Sequence, residues 1–304
     1  MNLDELKAKF SDNNQIRFLQ GKGKLPMIAV NNQSAKALIS LYGGQVLSYQ
    51  AQSSNTDLLF VSDAAYYQQG KAIKGGIPIC WPWFGQDPLN QGRTAHGFAR
   101  NMMWEVLEIS SNNELSTTII LALKDTLETQ KIWPYAFNLK LTITIAETLK
   151  LELETLNKSS DEFTITQALH TYFAVSDIDQ VKVSGLDHKN YLDKASIAKR
   201  ENCVQDGDIF IGQEVDRIYL DVPAELSIEE KDKGRQIAIR TRNNKTAIVW
   251  NPWQKIAQEM GDLNNDDYRH FICVETANAA DDSINIKPGE KYSLIAEYQM
   301  EAMN

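Results

Sequence analysis

The sequence predicts an all-β protein, a large antiparallel β-sandwich formed by a single domain that spans residues 1–304. Short runs of β-branched, aromatic and aliphatic residues recur along the chain, and several alternate strictly with polar residues. The chain shows neither the regular strand–helix–strand alternation of a parallel sheet nor a Pro/Gly/Ser-rich linker long enough to divide it. Many short strands joined by polar turns are typical of a sandwich.

The clearest alternation lies near the middle of the chain. From residue 139 to 145, Leu and Ile alternate with Lys and Thr, and the run 149–153 repeats the pattern with Lys and Glu. This period of two predicts antiparallel strands with one buried face. Further short runs predict the remaining strands: Ile119 to Leu123, Phe163 to Ala168, Gln236 to Thr241, Ala247 to Trp250, Phe271 to Val274 and Tyr292 to Tyr298.

Helical periodicity is confined to short segments. Leu3, Leu6 and Phe10 predict a short N-terminal helix, and Ser196 to Asn202 predicts one turn of another. Neither segment is long enough to change the all-β assignment.

Bulk properties restrict the function. The formal net charge of −9 argues against nucleic-acid or anionic-membrane binding, because both need an extended basic face. No apolar run reaches the roughly 20 residues of a membrane span, and Asp4 and Lys7 argue against a signal peptide. The three cysteines are odd in number and show no CxxC spacing, so we expect buried free thiols in a reducing compartment and neither a disulfide framework nor a zinc site. We expect a cytoplasmic protein and a monomer.

The segment GGIPICWPWFG, residues 75–85, collects glycines, prolines and tryptophans at one place. Pro78 and Pro82 cannot donate to a sheet ladder, which predicts a position at an edge or rim. The aromatic side chains at 81, 83 and 84 would suit a sugar, whose C–H faces stack on rings while its hydroxyls form hydrogen bonds. The alternative, favoured for the tryptophans taken alone, is a plug in the core.

Ionisable residues stand at the ends of several apolar runs. His96 and Arg100 lie in AHGFAR, His170 ends the strand of ALHTYF, Asp216 lies in EVDRIY, and Glu275 follows the run 271–274. Such groups are costly to desolvate unless they are paired or functional.

Together, KGGIPICWPWFG, AHGFAR, ALHTYF, EVDRIY and VWNPW…VETAN resemble the glucose-6-phosphate 1-epimerases, or hexose-6-phosphate mutarotases, of the aldose 1-epimerase superfamily. The matching segments run from about residue 74 to 278 in the order of that family. The resemblance implies the galactose mutarotase-like β-supersandwich, which agrees with the prediction from the strand pattern.

The resemblance also implies an activity: interconversion of the α and β anomers of glucose 6-phosphate and related hexose 6-phosphates. Glu275 is then the base at the C1 hydroxyl and His170 the acid at the ring oxygen, each contributing roughly 10²–10⁴-fold. His96 and Asp216 are implied as sugar-binding residues. The reaction requires no cofactor and no metal.

A sugar phosphate carries close to two negative charges, so an acidic protein must bind it with local cations. Arg100 is the first candidate and Lys74 the second. Family members usually have arginine at the position of Lys74, and lysine offers a point charge instead of a planar fork. Some members have glutamine at the position of Ala95, and Arg93 is close enough in sequence to compensate.

Simpler interpretations remain open from the residues alone. His170 could be a buried histidine satisfied by a backbone carbonyl, Glu275 could pair with a lysine, and Asp216 could form a surface ion pair with Arg217. His96 could merely brace the turn at Gly97. At the level of function, the alternatives are a mutarotase or epimerase for unphosphorylated aldoses and a non-catalytic sugar-binding protein on the same scaffold.

Overall fold

The computed structural model describes residues 3–10, 13–195 and 200–303. In these residues the α-helices are α1 Leu3–Lys9, α2 Leu127–Ile132 and α3 Trp253–Glu259. Short 3₁₀ helices cover Lys22–Lys24, Ala99–Asn101, Ile178–Gln180, Lys231–Lys233 and Asp267–His270. No helix of the described ranges is long and apolar enough to cross a membrane.

The strands of the described residues are β1 Ile16–Gln20, β2 Pro26–Asn31, β3 Ala35–Ser40, β4 Gln45–Ala51, β5 Ile79–Cys80, β6 Glu105–Ser111, β7 Thr117–Lys124, β8 Phe137–Ile145, β9 Leu149–Asn157, β10 Phe163–Ile165, β11 Gln167–Leu169, β12 Tyr172–Ala174, β13 Val181–Ser184, β14 Asn190–Asp193, β15 Arg200–Val204, β16 Ile209–Phe210, β17 Val215–Leu220, β18 Glu225–Glu230, β19 Arg235–Arg242, β20 Thr246–Asn251, β21 Phe271–Asn278, β22 Ile284–Ile286 and β23 Lys291–Ala302.

These strands form two large antiparallel sheets and two smaller ones. The larger has the order β16-β13-β18-β19-β23-β9-β8-β7-β6, and the second has the order β15-β14-β17-β20-β21-β11-β5, with β12 also paired to β21. A four-stranded sheet holds β1 to β4, and β10 pairs with β22. The predicted antiparallel sandwich is therefore confirmed.

The main core fills the space between the sheets. Alternate residues of β8 and β9, including Leu141 and Leu151, are fully buried there. Val249 and Val274 enter the same core from the eight-stranded sheet, and Ile39 enters it from the four-stranded sheet. Burial of these apolar side chains supplies the main driving force for the fold.

The eight-stranded sheet has a second, largely covered face. Residues directly opposite each other on paired strands point to the same side, and successive residues alternate. The register therefore places one set of side chains on the side away from the main core, here called the site face: Cys80, Ala168, Asp216, Ile218, Ile248, Trp250, Cys273, Glu275 and Ala277. Small apolar members of this face form their own buried cluster.

Two local expectations need correction, and the structure decides between the two alternatives for Trp81. The run Phe163 to Ala168 is two strands, because the chain leaves the β10–β22 pair at Thr166 and joins the eight-stranded sheet. Of Ser196 to Asn202, the part from residue 200 onward is strand, and 196–199 lie outside the described residues. Trp81 is fully buried in the main core, where its indole N–H donates to Thr155 Oγ1 at 3.0 Å, so the core alternative holds for it.

Candidate active site

The site lies where β11, β12 and β21 meet on the site face. β11 pairs with β21 through Leu169 and Thr276, which brings the next residue, His170, beside Glu275. The His170 backbone N–H donates to Pro78 O at 3.0 Å, so the segment 75–85 holds this strand end in place.

His170 and Glu275 form a buried pair. His170 Nε2 lies 3.4 Å from Glu275 Oε1, and the two residues are 7% and 2% exposed. The other polar atom of each side chain, His170 Nδ1 and Glu275 Oε2, is buried without a hydrogen-bond partner. The backbone carbonyl considered for the imidazole and the lysine considered for the carboxylate are therefore not their partners.

Burial shifts both pKa values away from the charged forms. Desolvation is the main cause that lowers the pKa of His170 well below 6.5, and positive charge on His96, Arg100 and Lys74 would lower it further. Desolvation raises the pKa of Glu275 well above 4.5, an effect that Asp216 increases and Arg100 opposes. The pair is therefore poised to hold one exchangeable proton, which is the requirement for reversible proton transfer.

His96 stands beside this pair, with its Nδ1 facing a backbone N–H group. Its ring is 5.8 Å from the His170 ring and packs edge-on against Phe84 at 4.9 Å. The Gly85 N–H points at Nδ1 of His96 at 3.4 Å. Burial, with the charges of Arg100 and Lys74, lowers the pKa of His96 to about 3. A neutral imidazole that accepts at Nδ1 carries its proton on Nε2, where it can donate to a ligand.

The backbone around His96 requires a glycine. His96 and Gly97 both have positive φ, and a Cβ on Gly97 would lie 2.0 Å from Trp81 O. The Phe98 N–H also donates to Trp81 O, at 3.0 Å. The 75–85 segment is thus a frame that holds both the His170 strand and the His96 turn against the sheet.

Two cations stand at one end of the site. Arg100 donates through Nη2 to Ala95 O at 3.0 Å, while its Nε is buried without a partner. Lys74 Nζ lies 3.5 Å from Asp262 Oδ2, and both side chains are mostly buried. Desolvation lowers the pKa of Lys74, an effect that Arg100 reinforces and Asp262 opposes.

Asp216 also belongs to the site face, and Arg217 does not. Asp216 pairs with Trp250 across β17 and β20, while Arg217 projects from the opposite side, donates to Gln205 Oε1 at 3.2 Å and covers the Tyr191 ring at 4.7 Å. The surface ion pair considered for these neighbours is therefore absent. Burial raises the pKa of Asp216 to about 6, helped by the charges of Glu214 and Asp193.

Other residues considered in the sequence have no assigned role in the site. Arg93 donates through Nε to Asp87 Oδ1 at 2.9 Å and covers the buried Trp83 ring at 4.2 Å, so it does not join Arg100 and Lys74. Cys80 and Cys273 are buried free thiols, whereas Cys203 is partly exposed. Across the described part of the chain, no cluster of three or more His, Cys, Asp or Glu side chains has an arrangement suited to a metal.

The sequence did not reveal the residues that surround and support the functional groups of the site. Tyr172 lies parallel to the His170 ring, Trp250 meets it edge-on at 6.0 Å, and Asp262 pairs with Lys74. Tyr172 and Trp250 stand in segments already recognised as distinctive. Nothing in the sequence around Asp262 indicates that its turn folds back onto Lys74, nearly two hundred residues earlier.

Comparison with known proteins places this geometry in a family. A family model described as aldose 1-epimerase matches residues 26–299. A protein of Escherichia coli K12, provisionally named glucose-6-phosphate 1-epimerase, is 38% identical over 261 residues that cover 85% of each chain. A plant protein from Cenchrus ciliaris with the same provisional name is 36% identical, over 84% of this chain and 78% of its own.

A solved structure agrees with the fold. The crystal structure of a provisionally assigned mutarotase from Salmonella typhimurium superposes with a TM-score of 0.88 at 30% identity, covering 98% of this chain and 99% of that one.

Proposed function

The chain belongs to the aldose 1-epimerase family, and we propose that it interconverts the α and β anomers of glucose 6-phosphate and related hexose 6-phosphates. It would be an isomerase that opens and recloses the sugar ring by acid–base catalysis. The provisional names of its relatives support this substrate class. The supersandwich fold of a mutarotase supports the reaction type.

The observation that carries the proposal is the 3.4 Å contact between His170 Nε2 and Glu275 Oε1. The C1 hydroxyl and the ring oxygen O5 are bonded to the same carbon, so an acid and a base that serve them must stand side by side. A buried imidazole and a buried carboxyl, each with an unsatisfied polar atom, meet that requirement.

The proton balance is simple. The proton held by the pair first passes from Glu275 to Nε2 of His170, which lies 3.4 Å from Glu275 Oε1. Glu275 then takes the proton of the C1 hydroxyl as the C1–O5 bond breaks, and the imidazolium of His170 gives its proton to O5. Rotation about the C1–C2 bond turns the aldehyde, and reclosure runs the same transfers backwards on its other face. The pair begins and ends with one proton, so no external acid, base or cofactor is consumed.

The remaining candidates take binding roles. We assign the Nε2 proton of His96 and the Asp216 carboxylate to sugar hydroxyls, because both side chains are half-buried near the acid–base pair and have shifted pKa values. Arg100 and Lys74 would hold the phosphate, since they are the cations whose charges act on His170 and His96.

A free aldose is the second candidate substrate. The observation that favours it is the Lys74–Asp262 ion pair, which partly neutralises the proposed phosphate end. A non-catalytic sugar-binding protein is the third, although the buried acid–base pair has no evident purpose in binding alone.

NMR exchange spectroscopy on the anomers of glucose 6-phosphate and glucose tests the proposal directly. Wild-type protein should accelerate exchange of the phosphorylated sugar more than that of glucose. Glu275→Gln and His170→Asn should each lose at least about 10²-fold in exchange rate, because each removes a proton-transfer group.

The control is His188→Asn, which changes an exposed histidine that is not among the residues assigned to the site and should leave exchange unaltered. Wild-type exchange at the uncatalysed rate for both sugars would refute the activity. Full exchange by the glutamine variant would refute Glu275 as the base.

We also propose that residues 1–304 act as one domain, as a monomer and in the cytoplasm. The three cysteines form no disulfide, which suits a reducing compartment.

A further inference from the structure

Asp262 forms an ion pair with one of the two cations at this end of the site. Its Oδ2 lies 3.5 Å from Lys74 Nζ, and Lys74 is one of the two cations to which the proposed function assigns the substrate phosphate. A carboxylate and a phosphate compete for the same ammonium group, because both are oxygen anions of similar reach.

The turn that carries Asp262 is anchored beside the acid–base pair. The next residue, Leu263, is buried in a cluster with Tyr172, Phe271 and Cys273. Tyr172 in turn stacks on His170, and the charge of Asp262 contributes to raising the pKa of Tyr172. The carboxylate is therefore a fixed part of the site and not a mobile surface group.

The combined charge of Lys74, Arg100 and Asp262 does not balance that of a phosphate dianion. Lys74 and Arg100 supply two positive charges, and Asp262 removes one. A sugar phosphate brings close to two negative charges at neutral pH. With an amide in place of Asp262, that opposing negative charge would be absent.

We propose that Asp262 is a specificity-determining residue: its carboxylate competes with the substrate phosphate for Lys74 and so limits the preference for phosphorylated over free aldoses. This inference rests on the proposed function. The Asp262 carboxylate repels the substrate phosphate, whereas the other groups assigned to the site attract the substrate. Specificity depends on both kinds of interaction.

Asp262→Asn keeps the size and polarity of the side chain and removes its charge. The quantity to measure is the ratio of kcat/KM for glucose 6-phosphate to kcat/KM for glucose, obtained by NMR exchange. We expect this ratio to rise about tenfold, because one anion no longer stands within a few ångströms of the phosphate site. The change should appear mainly as a lower KM for the phosphorylated sugar.

The matched control is Asp266→Asn, which removes the same charge from an exposed residue four positions along the same turn. Its ratio should stay within about twofold of wild type, since exposed charges are screened by solvent and salt. In the double variant Lys74→Gln/Asp262→Asn the rise in this ratio should disappear, because the ammonium group for which carboxylate and phosphate compete has been removed. Asp262→Glu should retain the wild-type ratio. If Asp262→Asn does not fold, Asp262→Ser takes its place.

An unchanged or lower ratio in Asp262→Asn would overturn the proposal, because the carboxylate would then only hold Lys74 in place. An equal rise in Asp266→Asn would also overturn it, since net charge alone would explain the effect.

Failure of the proposed function would be seen separately. If wild-type protein exchanges neither sugar, inorganic phosphate serves as the probe, and its binding is measured by ³¹P NMR titration. Asp262→Asn should then bind inorganic phosphate about tenfold more tightly than wild type. Equal or weaker binding would reject the role of Asp262 whatever the activity.

Discussion

The imidazole of His170 lies flat against the ring of Tyr172, with centroids 4.9 Å apart and planes inclined by 8°. Trp250 closes one edge of the same imidazole at 6.0 Å. His170 Nδ1 has no hydrogen-bond partner, so the ring orientation is set by packing and by the contact with Glu275. Tyr172 is therefore a positioning residue for the acid.

Replacing Tyr172 tests this role. In Tyr172→Ala the imidazole loses its stacking surface, and we expect kcat for anomer exchange to fall about 10- to 100-fold with a smaller change in KM, because small errors in position weaken proton transfer. Tyr172→Phe keeps the ring and should retain kcat within about threefold. A fall in kcat of the same size in the phenylalanine variant would contradict a role through stacking.

Much of the fold follows from the alternation of apolar and polar residues along the sequence. The alternation at 139–145 and 149–153 corresponds to β8 and β9, whose buried positions alternate along their whole length. The break within 163–168 was not predictable, because Thr166 leaves the ladder through tertiary contacts: its N–H donates to Pro82 O and its Oγ1 accepts from the Phe84 N–H. The alternation of side chains along an extended chain does explain why Trp81 is buried in the main core. Ile79 and Trp81 point into that core, while Cys80 between them faces the site.

The site was harder to predict from residues alone. Alternation separates Asp216 from Arg217, because adjacent residues of a strand point to opposite faces. The approach of His170 to Glu275 depends on the pairing of β11 with β21, two strands about a hundred residues apart in the chain. Family resemblance indicated that pair, and no local pattern contains it.

The guanidinium of Arg100 should determine how strongly the protein prefers the phosphorylated sugar over the free sugar. In Arg100→Ala we expect kcat/KM for glucose 6-phosphate to fall about 10- to 100-fold relative to that for glucose, as the loss of charge-assisted hydrogen bonds predicts. The control is Arg93→Ala, which removes a guanidinium bound to Asp87 outside the site. Equal losses on both sugars in Arg100→Ala would show that Arg100 is not a phosphate ligand.

Asp216 should make stability depend on pH. Its pKa in the folded protein is about 6, above the ordinary 3.8 of an unfolded chain. Between these values the folded state binds the proton more tightly, so the free energy of unfolding falls as pH rises. Asp216→Asn does not ionise, and we expect its stability relative to wild type to grow across this range, reaching at most about 3 kcal/mol at pH 7 and vanishing below pH ~4.

Urea unfolding at a series of pH values measures this difference. The exposed Asp206 provides the control, and Asp206→Asn should follow the wild-type curve within about 0.5 kcal/mol at every pH. A constant difference between Asp216→Asn and wild type from pH 4 to 7 would mean that the carboxyl is not destabilised by burial.

Alanine substitutions at Gly97 and Gly92 can distinguish the stability cost of backbone strain from that of a steric clash. Both have positive φ, 70° and 77°, but a Cβ on Gly97 would lie 2.0 Å from Trp81 O, whereas a Cβ on Gly92 would meet nothing within 4 Å. Gly92→Ala should therefore lose only about 1–2 kcal/mol of stability, the strain of a left-handed alanine.

Gly97→Ala must also push the chain away from Trp81, which adds roughly 1–3 kcal/mol. Because His96 and Arg100 flank Gly97, its displacement should reduce anomer exchange even at temperatures where the variant remains folded. Thermal melts and exchange rates for the two variants test both parts. If Gly97→Ala matched Gly92→Ala in stability and in activity, the close approach of the 96–98 turn to Trp81 would have no part in shaping the site.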